Sequence, residues 1–265
     1  MVISILGCGW LGSALGKHLA NRGDMVFGST TSHAKCNTLQ SVGIHPVLLR
    51  FAPELEGDDG SAFFDTDIIV ISIPPQRKSG RSGFFLQQMN AVVQRINRGT
   101  VRKILFISST SVYSADNKIV TEQDANPDAY LFMAENLFRE NFNHTTVLRF
   151  GGLIGPERHP GKFFAGKVDV AGGDCPVNLI HQEDCIRIID SIMQQEVWGE
   201  LFNACAGFHP TKKVFYTAMS GLLNLPLPVF RNDDPAAFKL VSSAKLKQHL
   251  NFAFKHDDPL AMRDF

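Results

Sequence analysis

The sequence predicts an α/β fold: a doubly wound parallel sheet with a smaller C-terminal lobe. Short apolar runs alternate with helical patterns through the first part of the chain. The runs are almost continuously apolar, as in parallel strands that are buried on both faces. Beyond residue 150 glycine and proline become frequent, as in GGLIGPERHPG, and the alternation stops. Right-handed crossovers then make a doubly wound sheet the simplest topology.

The individual elements follow from the spacing of apolar residues. Apolar runs that end at turn residues predict strands at 2–6, 25–27, 45–51, 67–73, 104–107 and 146–150. Apolar residues at helical spacing predict helices over 11–19, 85–96, 130–142 and 183–193. Gly23 should end the first helix, and Pro74 with Pro75 should end the fourth strand.

Composition and charge restrict the class of protein. The chain has 265 residues, 44% of them hydrophobic and 20% charged, which fits one large domain with or without a lobe. A net charge of zero gives no bulk attraction to nucleic acid or to an anionic membrane. The N-terminus lacks the pattern of a secretory signal, and no apolar run is long enough to span a bilayer. Five scattered cysteines fit reduced thiols, so we expect a cytoplasmic protein.

A GxGxxG pattern, Gly7-Cys8-Gly9-Trp10-Leu11-Gly12, joins the first strand to the first helix. This context is typical of a Rossmann dinucleotide-binding site. Gly7 permits a tight turn, Gly9 lets the backbone approach a pyrophosphate, and Gly12 allows the helix to pack closely on the strand. The phosphates would lie at the helix N-terminus, by Trp10 and Leu11. The alternative is a tight turn without a ligand.

Polar residues follow the second predicted strand. A free ribose 2′-OH usually meets an acidic residue there, but no carboxylate occurs before Glu54. The hydroxyls of Thr30, Thr31 and Ser32, with Lys35 just beyond them, suit a 2′-phosphate better. We therefore expect NADP in preference to NAD. The alternative is a polar loop that selects neither cofactor.

Two further strand ends fall on the same edge of the predicted sheet. The fourth strand ends in Ile73, Pro74 and Pro75, which either line the adenosine ribose or simply terminate the strand. Ser108 and Ser109 directly follow the fifth strand. We expect Ser108 on the cofactor side of this edge.

Four segments together resemble the extended short-chain dehydrogenases/reductases of the NAD-dependent epimerase/dehydratase group. They are GxGxxG, SSTSVY at 108–113, RFGGLIGP at 149–156 and NLIHQED at 178–184. The resemblance covers about residues 1–250 and implies oxidoreductase or isomerase chemistry on a small anionic substrate such as a nucleotide sugar. It implies a cofactor domain of 1–156 plus about 181–205, and a substrate lobe of about 157–180 plus 206–265. It also makes a homodimer plausible.

The resemblance also implies catalytic residues. It places the catalytic serine at Ser109, whose hydroxyl would hold a substrate oxygen. Members pair this serine with a tyrosine and a lysine four residues later, where the ammonium lowers the pKa of the phenol. Here Tyr130 is followed at that spacing by Ala134, so Tyr130 is either catalytic or a core or rim residue. Tyr113 and His159 are the other candidates for proton transfer.

Candidate substrate ligands lie in the second half of the chain. Cations cluster after RFGGLIGP and suit phosphate or carboxylate groups, or form a solvated basic loop. The resemblance places the NLIHQED segment near the substrate, with its histidine in a buried hydrogen-bonding position. The expected substrate-binding residues are Arg158, His159, Lys162, Asn178 and His181. No His/Cys/carboxylate spacing recurs as a ligand set, so no metal is expected.

Two functions remain open. One is an NADP-preferring enzyme of the epimerase/dehydratase type, which the hydroxyls and the basic segment favour. The other is a dinucleotide sensor or regulatory protein that keeps the fold without turnover. The alanine at position 134 favours this second function.

Overall fold

The computed structural model describes residues 1–57, 60–75, 82–232, 236–263 and 265. The chain forms two compact units, each assembled from three segments. The first unit comprises Met1–Ser108, Pro127–Leu148 and Glu196–Leu201, and the second comprises Ser109–Asn126, Arg149–Gln195 and Phe202–Phe265. The predicted cofactor domain and substrate lobe have other boundaries, and that functional division stays a prediction.

The described residues form strands and helices that alternate through the first half of the chain. The strands are β1 Val2–Leu6, β2 Met25–Thr30, β3 Ile44–Phe51, β4 Leu55–Gly57, β5 Ile68–Ile71, β6 Lys103–Ser109, β7 Lys118–Val120, β8 His144–Phe150, β9 Gly152–Ile154, β10 Leu179–His181, β11 Leu201–Ala204 and β12 Lys239–Val241. The helices are α1 Trp10–Asn21, α2 His33–Gln40, α3 Ser82–Ile96, α4 Tyr130–Asn141, α5 Gly161–Phe164, α6 Gln182–Gln195, α7 Lys212–Leu222 and α8 Ala244–His249.

The central sheet has eight strands in the order β11-β8-β6-β5-β1-β2-β3-β4. Strand β1 pairs in parallel with β2 and with β5, and the run from β3 through β1 to β8 has the doubly wound order. Ile3, Ile5 and Val70 are fully buried because helices cover both faces of such a sheet. The predicted fold class is confirmed. Strand β4 pairs antiparallel to β3 at the outer edge.

The predicted elements are present, with shifted ends. Strand β2 continues three residues further than the apolar run predicts, to Thr30, and β5 is shorter than the predicted 67–73. Strand β2 is longer because the polar residues Ser29 and Thr30 also pair with β3. Strand β5 ends at Ile71, although the Ser72 backbone N–H still donates to Leu6 of β1 at 2.8 Å before the chain reaches the prolines. No helix in the described part of the chain is long and apolar enough to cross a membrane.

The second unit has its own hydrophobic core around α7. Phe215 and Met219 on this helix are buried against Ile154 of β9 and Leu179 of β10. Phe163 and Phe164 of the short α5 pack on the same cluster. Two small parallel sheets, β9 with β10 and β7 with β12, complete the pairing in this unit.

Candidate functional site

A cavity of about 630 Å³ opens in the first unit at the carboxyl ends of parallel strands. Its size is in the range of small-molecule sites, and the edge is where open α/β sheets bind ligands. The end of β1, the end of β2, the segment after β5 and the end of β3 form its wall. The lining residues are Leu6 to Gly9, Ser29 to Ser32, Lys35, Leu49 to Ala52, Ser72 to Pro74, Phe84 and Gln88.

The three glycines of the GxGxxG turn differ in what surrounds them. Gly7 has φ +105°, and a Cβ there would lie 2.8 Å from the carbonyl oxygen of Ser72. A Cβ on Gly12 would lie 2.3 Å from the carbonyl oxygen of Gly7. Gly9 is different, because nothing lies within 4 Å of its Cβ position. Gly7 and Gly12 therefore serve the turn itself, whereas the space at Gly9 fits the approach of a phosphate group.

Ser29 of β2 holds the glycine turn in place. Its hydroxyl oxygen accepts a hydrogen bond from the Gly7 backbone N–H at 2.8 Å, and its carbonyl oxygen accepts one from Cys8 at 3.0 Å. Burial raises the pKa of the Cys8 thiol to about 12, so this cysteine is neutral and unreactive at physiological pH. Ser29 was not among the residues predicted from the sequence, although its place on the next strand, opposite the turn, indicates such a role.

Helix α1 begins at the turn with a bare N-terminus. Its N-cap is Gly9, no side chain caps it, and no acidic residue occupies its first turn. Such an end favours an anion. Trp10, Leu11 and Gly12 do not line the cavity, so a contribution from them would come through backbone N–H groups and stays a prediction.

The predicted residues of the second and fourth strand ends meet in the cavity wall. Thr30, Thr31 and Ser32 all line it, as does Lys35. The hydroxyl of Thr30 is partly committed, since it accepts the Ser32 backbone N–H at 3.1 Å. From the fourth strand end Ile73 and Pro74 line the cavity, and Pro75 does not.

The cavity wall also contains Arg50, which the sequence analysis did not single out. Arg50 and Lys35 are the two basic residues among the described lining residues of the cavity. These lining residues include no aspartate or glutamate. Arg50 follows from the topology, because β3 is the next parallel strand and its carboxyl end shares this edge. The electrostatic character of the cavity is therefore suited to phosphate.

Ser108 and Tyr130 lie in the first unit but outside the cavity wall. Ser108 is buried at the end of β6, and its hydroxyl donates a hydrogen bond to the buried carboxylate of Glu135 on α4. Tyr130 is the first residue of α4, and its ring contacts Phe85 edge-on at 6.0 Å between centroids. Ala134 is fully buried. Cofactor contact by Ser108 and catalysis by Tyr130 stay predictions.

Tyr113 lies in a buried polar network of the second unit. Its hydroxyl donates to Oδ1 of Asn203 at 2.6 Å and accepts from Nη1 of Arg149 at 2.7 Å. The same guanidinium donates to the carbonyl oxygen of Glu122 at 2.8 Å. Burial outweighs the nearby guanidinium and raises the pKa of Tyr113 to about 12. This phenol is arranged to hold its proton, which a catalytic role would have to overcome.

Ser109 is the first residue of the second unit, and its hydroxyl accepts one hydrogen bond within the chain. The side chain caps a 3-10 turn by accepting the Ser111 backbone N–H at 3.1 Å. That bond uses an oxygen lone pair and leaves the hydroxyl hydrogen to donate. Ser109 is partly exposed, so the predicted contact with a substrate oxygen is chemically open to it.

Arg158, Lys162 and Asn178, which are predicted substrate residues of the second unit, lie in different environments. Arg158 and Lys162 are exposed. The amide of Asn178 donates to the Lys239 carbonyl at 2.9 Å and accepts from the Val241 backbone N–H at 2.8 Å. These two bonds anchor β12, and a substrate contact would use the second N–H or the second lone pair of the amide.

The two predicted histidines share one arrangement. Nδ1 of His159 accepts the Gly161 backbone N–H at 3.0 Å, and Nδ1 of His181 accepts that of Glu183 at 3.2 Å. The neutral rings therefore carry their proton on Nε2. Burial and then Lys162 lower the pKa of His159, so it is neutral near pH 7. His181 has the buried, hydrogen-bonded position expected of it.

His181, Glu183 and His256 bring possible metal-ligand atoms within 4.8 Å of one another. No spacing in the sequence predicts this group, because His256 lies 73 residues after Glu183. Nε2 of His256 lies 2.9 Å from Glu183, and Lys255 contacts both oxygens of that carboxylate at 2.7 and 2.9 Å. Since His181 also presents a protonated Nε2, the group is arranged as a hydrogen-bonded ion cluster, and we assign no metal to it.

Comparison with known proteins gives relatives in sequence and several structures of the same fold. The chain is 37% identical to protein YeeZ of Escherichia coli strain K12 over 270 residues, covering 98% of both chains. No protein-family model matches it. A functionally unknown conserved protein of Silicibacter pomeroyi has a TM-score of 0.76 at 20% identity, with 98% of this chain and 95% of that one covered.

UDP-glucose 4-epimerase of Bifidobacterium longum, solved with NAD+ and UDP, also has a TM-score of 0.76, at 15% identity, with 98% and 96% covered. Likeness at this identity shows a shared fold of the epimerase type, and it agrees with the doubly wound sheet described above.

Proposed function

Because this chain belongs to the family of Escherichia coli protein YeeZ, whose name states no activity, we propose its function from the geometry of its two units. The proposal is an NAD(P)-dependent oxidoreductase or isomerase of the epimerase/dehydratase type, with NADP(H) preferred. Its substrate is a small anionic metabolite such as a nucleotide sugar. The observation that carries the proposal is the cavity of about 630 Å³ at the glycine turn.

Several features of the cavity support a dinucleotide. The space at Gly9 and the uncapped start of α1 suit a pyrophosphate. Thr31, Ser32 and Lys35 suit a 2′-phosphate, since a carboxylate for a free 2′-OH is missing from the described lining residues. The structure of the Bifidobacterium longum epimerase with NAD+ supports a nicotinamide nucleotide in general.

The residues of this chain would position the substrate. A nicotinamide, when bound, supplies reversible hydride transfer. Ser109 donates its free hydroxyl hydrogen to a substrate oxygen. The exposed cations Arg158 and Lys162 pair with an anionic group, and the Nε2–H of His159 donates to it.

Tyr113, His159 and Tyr130 are the candidates for proton transfer. Tyr113 is committed to Asn203 and Arg149. His159 presents a donor rather than a lone pair. Tyr130 is therefore the remaining candidate for proton transfer, although it has no lysine four residues later to lower the pKa of its phenol.

This deficit favours a second candidate function, a sensor that binds NADP(H) without turnover. The specific observation is Ala134, fully buried, four residues after Tyr130, the spacing at which members of the resembled family have a lysine. Incubation of the protein with NADPH and a panel of nucleotide sugars and carbonyl compounds separates the two functions. Oxidation of the cofactor identifies an oxidoreductase, and conversion of a nucleotide sugar in the presence of NADP+ without net cofactor consumption identifies an isomerase, in each case if Ser109→Ala abolishes it. Binding with no turnover of any compound identifies the sensor.

Calorimetric titration with NADPH, NADP+, NADH and NAD+ tests the cofactor. We expect binding of the two phosphorylated forms to be tighter than binding of the other two. Failure of all four to bind would contradict both candidate functions, and the glycine pattern would then be a turn without a ligand.

A further inference from the structure

We propose that Arg50 on β3 is the residue that selects the cofactor, by forming with Lys35 a two-cation clamp for the 2′-phosphate of NADP(H). This inference rests on the proposed function and adds a determinant from outside the segment that follows β2. It makes the third strand, rather than the second alone, responsible for the choice between NADP(H) and NAD(H).

The register of the sheet brings the members of this clamp together. Strands β2 and β3 are parallel, and Thr30 pairs with Leu48 at the last position of the ladder. Two residues beyond this pair, Ser32 follows the end of β2 and Arg50 lies near the end of β3, and both line the same cavity wall. Adjacent strands lie about 4.8 Å apart. Lys35 lies in the first turn of α2, which starts directly after Ser32.

The charges around the clamp favour a dianion. Lys35 forms no ion pair with any residue in the described ranges. Arg50 has Glu56 as its ion-pair partner in those ranges, at 3.7 Å, with the two side chains 66% and 55% exposed. Such a pair contributes little, so a phosphate displaces Glu56 at small cost. A guanidinium can then form two parallel hydrogen bonds to phosphate oxygens.

The alternatives for Arg50 make different demands on the ligand. A guanidinium that stacks on adenine would strengthen binding of every adenine nucleotide equally. A solvated arginine would strengthen none. Only the clamp makes its contribution depend on the 2′-phosphate, so two nucleotides that differ in this group separate the three cases.

The test measures the binding of adenosine 2′,5′-bisphosphate and 5′-AMP to the full chain by calorimetry. We expect Arg50→Ala to weaken binding of the bisphosphate about tenfold and that of 5′-AMP less than about twofold, which is the loss of one charge-assisted contact. Lys35→Ala should act in the same direction. Glu56→Gln should strengthen bisphosphate binding, because it removes the competing carboxylate.

Arg98→Ala is the matched control, since Arg98 is an exposed arginine of the same unit outside the cavity wall. It should change neither affinity. Equal losses with both nucleotides in Arg50→Ala would overturn the clamp in favour of stacking, and unchanged affinities would show a solvated arginine. NADH binding as tight as NADPH binding by the parent protein would overturn the clamp and the NADP(H) preference, while leaving the NAD(P)-dependent oxidoreductase or isomerase function intact. Absence of binding by any nucleotide would overturn both.

Discussion

At the scale of single residues, Gly9 and Gly12 differ in whether a side chain could be accommodated at their positions. Gly9 has open space at its Cβ position and φ −80°, which any residue adopts, whereas a Cβ on Gly12 would collide with backbone. We expect Gly9→Ala to keep the free energy of unfolding within about 0.5 kcal/mol of the parent. The same change should weaken NADP(H) binding by about tenfold or more. Thermal melting and calorimetry check the two expectations.

Gly12→Ala is the contrasting variant. Overpacking against the Gly7 carbonyl should lower the free energy of unfolding by about 1–3 kcal/mol, with or without nucleotide. If Gly9→Ala proved the more destabilising of the two, the assignment of Gly9 to ligand approach would be wrong.

Tyr113 is a residue whose role mutation can decide. Tyr113→Phe leaves Oδ1 of Asn203 and one N–H of Arg149 without their buried partner, so the free energy of unfolding should fall by about 1–3 kcal/mol. Urea denaturation measures this loss. Ser109→Ala, which removes a single turn-capping bond, should cost less. A Tyr113→Phe protein of unchanged stability would show that the network is not structural, and would return Tyr113 to the catalytic candidates.

The sequence predicts those site residues whose role depends on the residues next to them in the chain. The glycines and Thr30 to Ser32 are predictable because each lies within a few residues of the end of an apolar run. The Tyr113 network was not predictable, because its members meet from distant segments: Tyr113 and Asn203 are 90 residues apart. Arg50 was open to prediction from topology, but no local pattern marks it.

At the scale of elements, amphipathic spacing decided what could be predicted. Helix α1 was predicted because its apolar residues follow a helical period and pack on the sheet. Helix α2 was missed, because only Leu39 of its eight residues is buried and the remainder carry no apolar stripe. Strands β7 and β12, three residues each, are too short to show a period.

The turn after β7 gives a pH-dependent prediction. The backbone N–H of Thr121 and then Lys118 hold the pKa of Asp124 at about 2, below its ordinary value of 3.8. Because the folded pKa is the lower one, the stabilisation is complete above pH 4 and is lost as pH falls towards 2. The urea midpoint should therefore fall less between pH 5 and pH 2.5 in Asp124→Asn than in the parent protein. Equal falls in the two proteins would contradict this.

At the scale of the whole molecule, the course of the chain predicts cooperative unfolding. The chain passes between the two units at 108/109, 126/127, 148/149, 195/196 and 201/202, so neither unit is continuous in sequence. Both tryptophans, Trp10 and Trp198, belong to the first unit. Tryptophan fluorescence and far-UV circular dichroism should nevertheless give one coincident transition in urea.

Nucleotide extends this whole-molecule prediction. NADPH at a hundredfold excess over its Kd should stabilise the folded chain by about 2.7 kcal/mol and shift both signals together. Two separated transitions, of which NADPH moves only the fluorescence one, would show that the units unfold independently.

The antiparallel strand β4 has a consequence for the colloidal behaviour of the protein. It covers β3 at the sheet edge through Arg50–Glu56 and Phe51–Leu55, and ends after three residues. An uncovered β3 would offer a long row of backbone donors and acceptors to another molecule. With an isoelectric point of about 7.1, the protein has little charge repulsion at neutral pH to prevent such contact. Strand β4 therefore blocks strand-to-strand association at the last three residues of β3, Leu49 to Phe51, where net charge provides little protection.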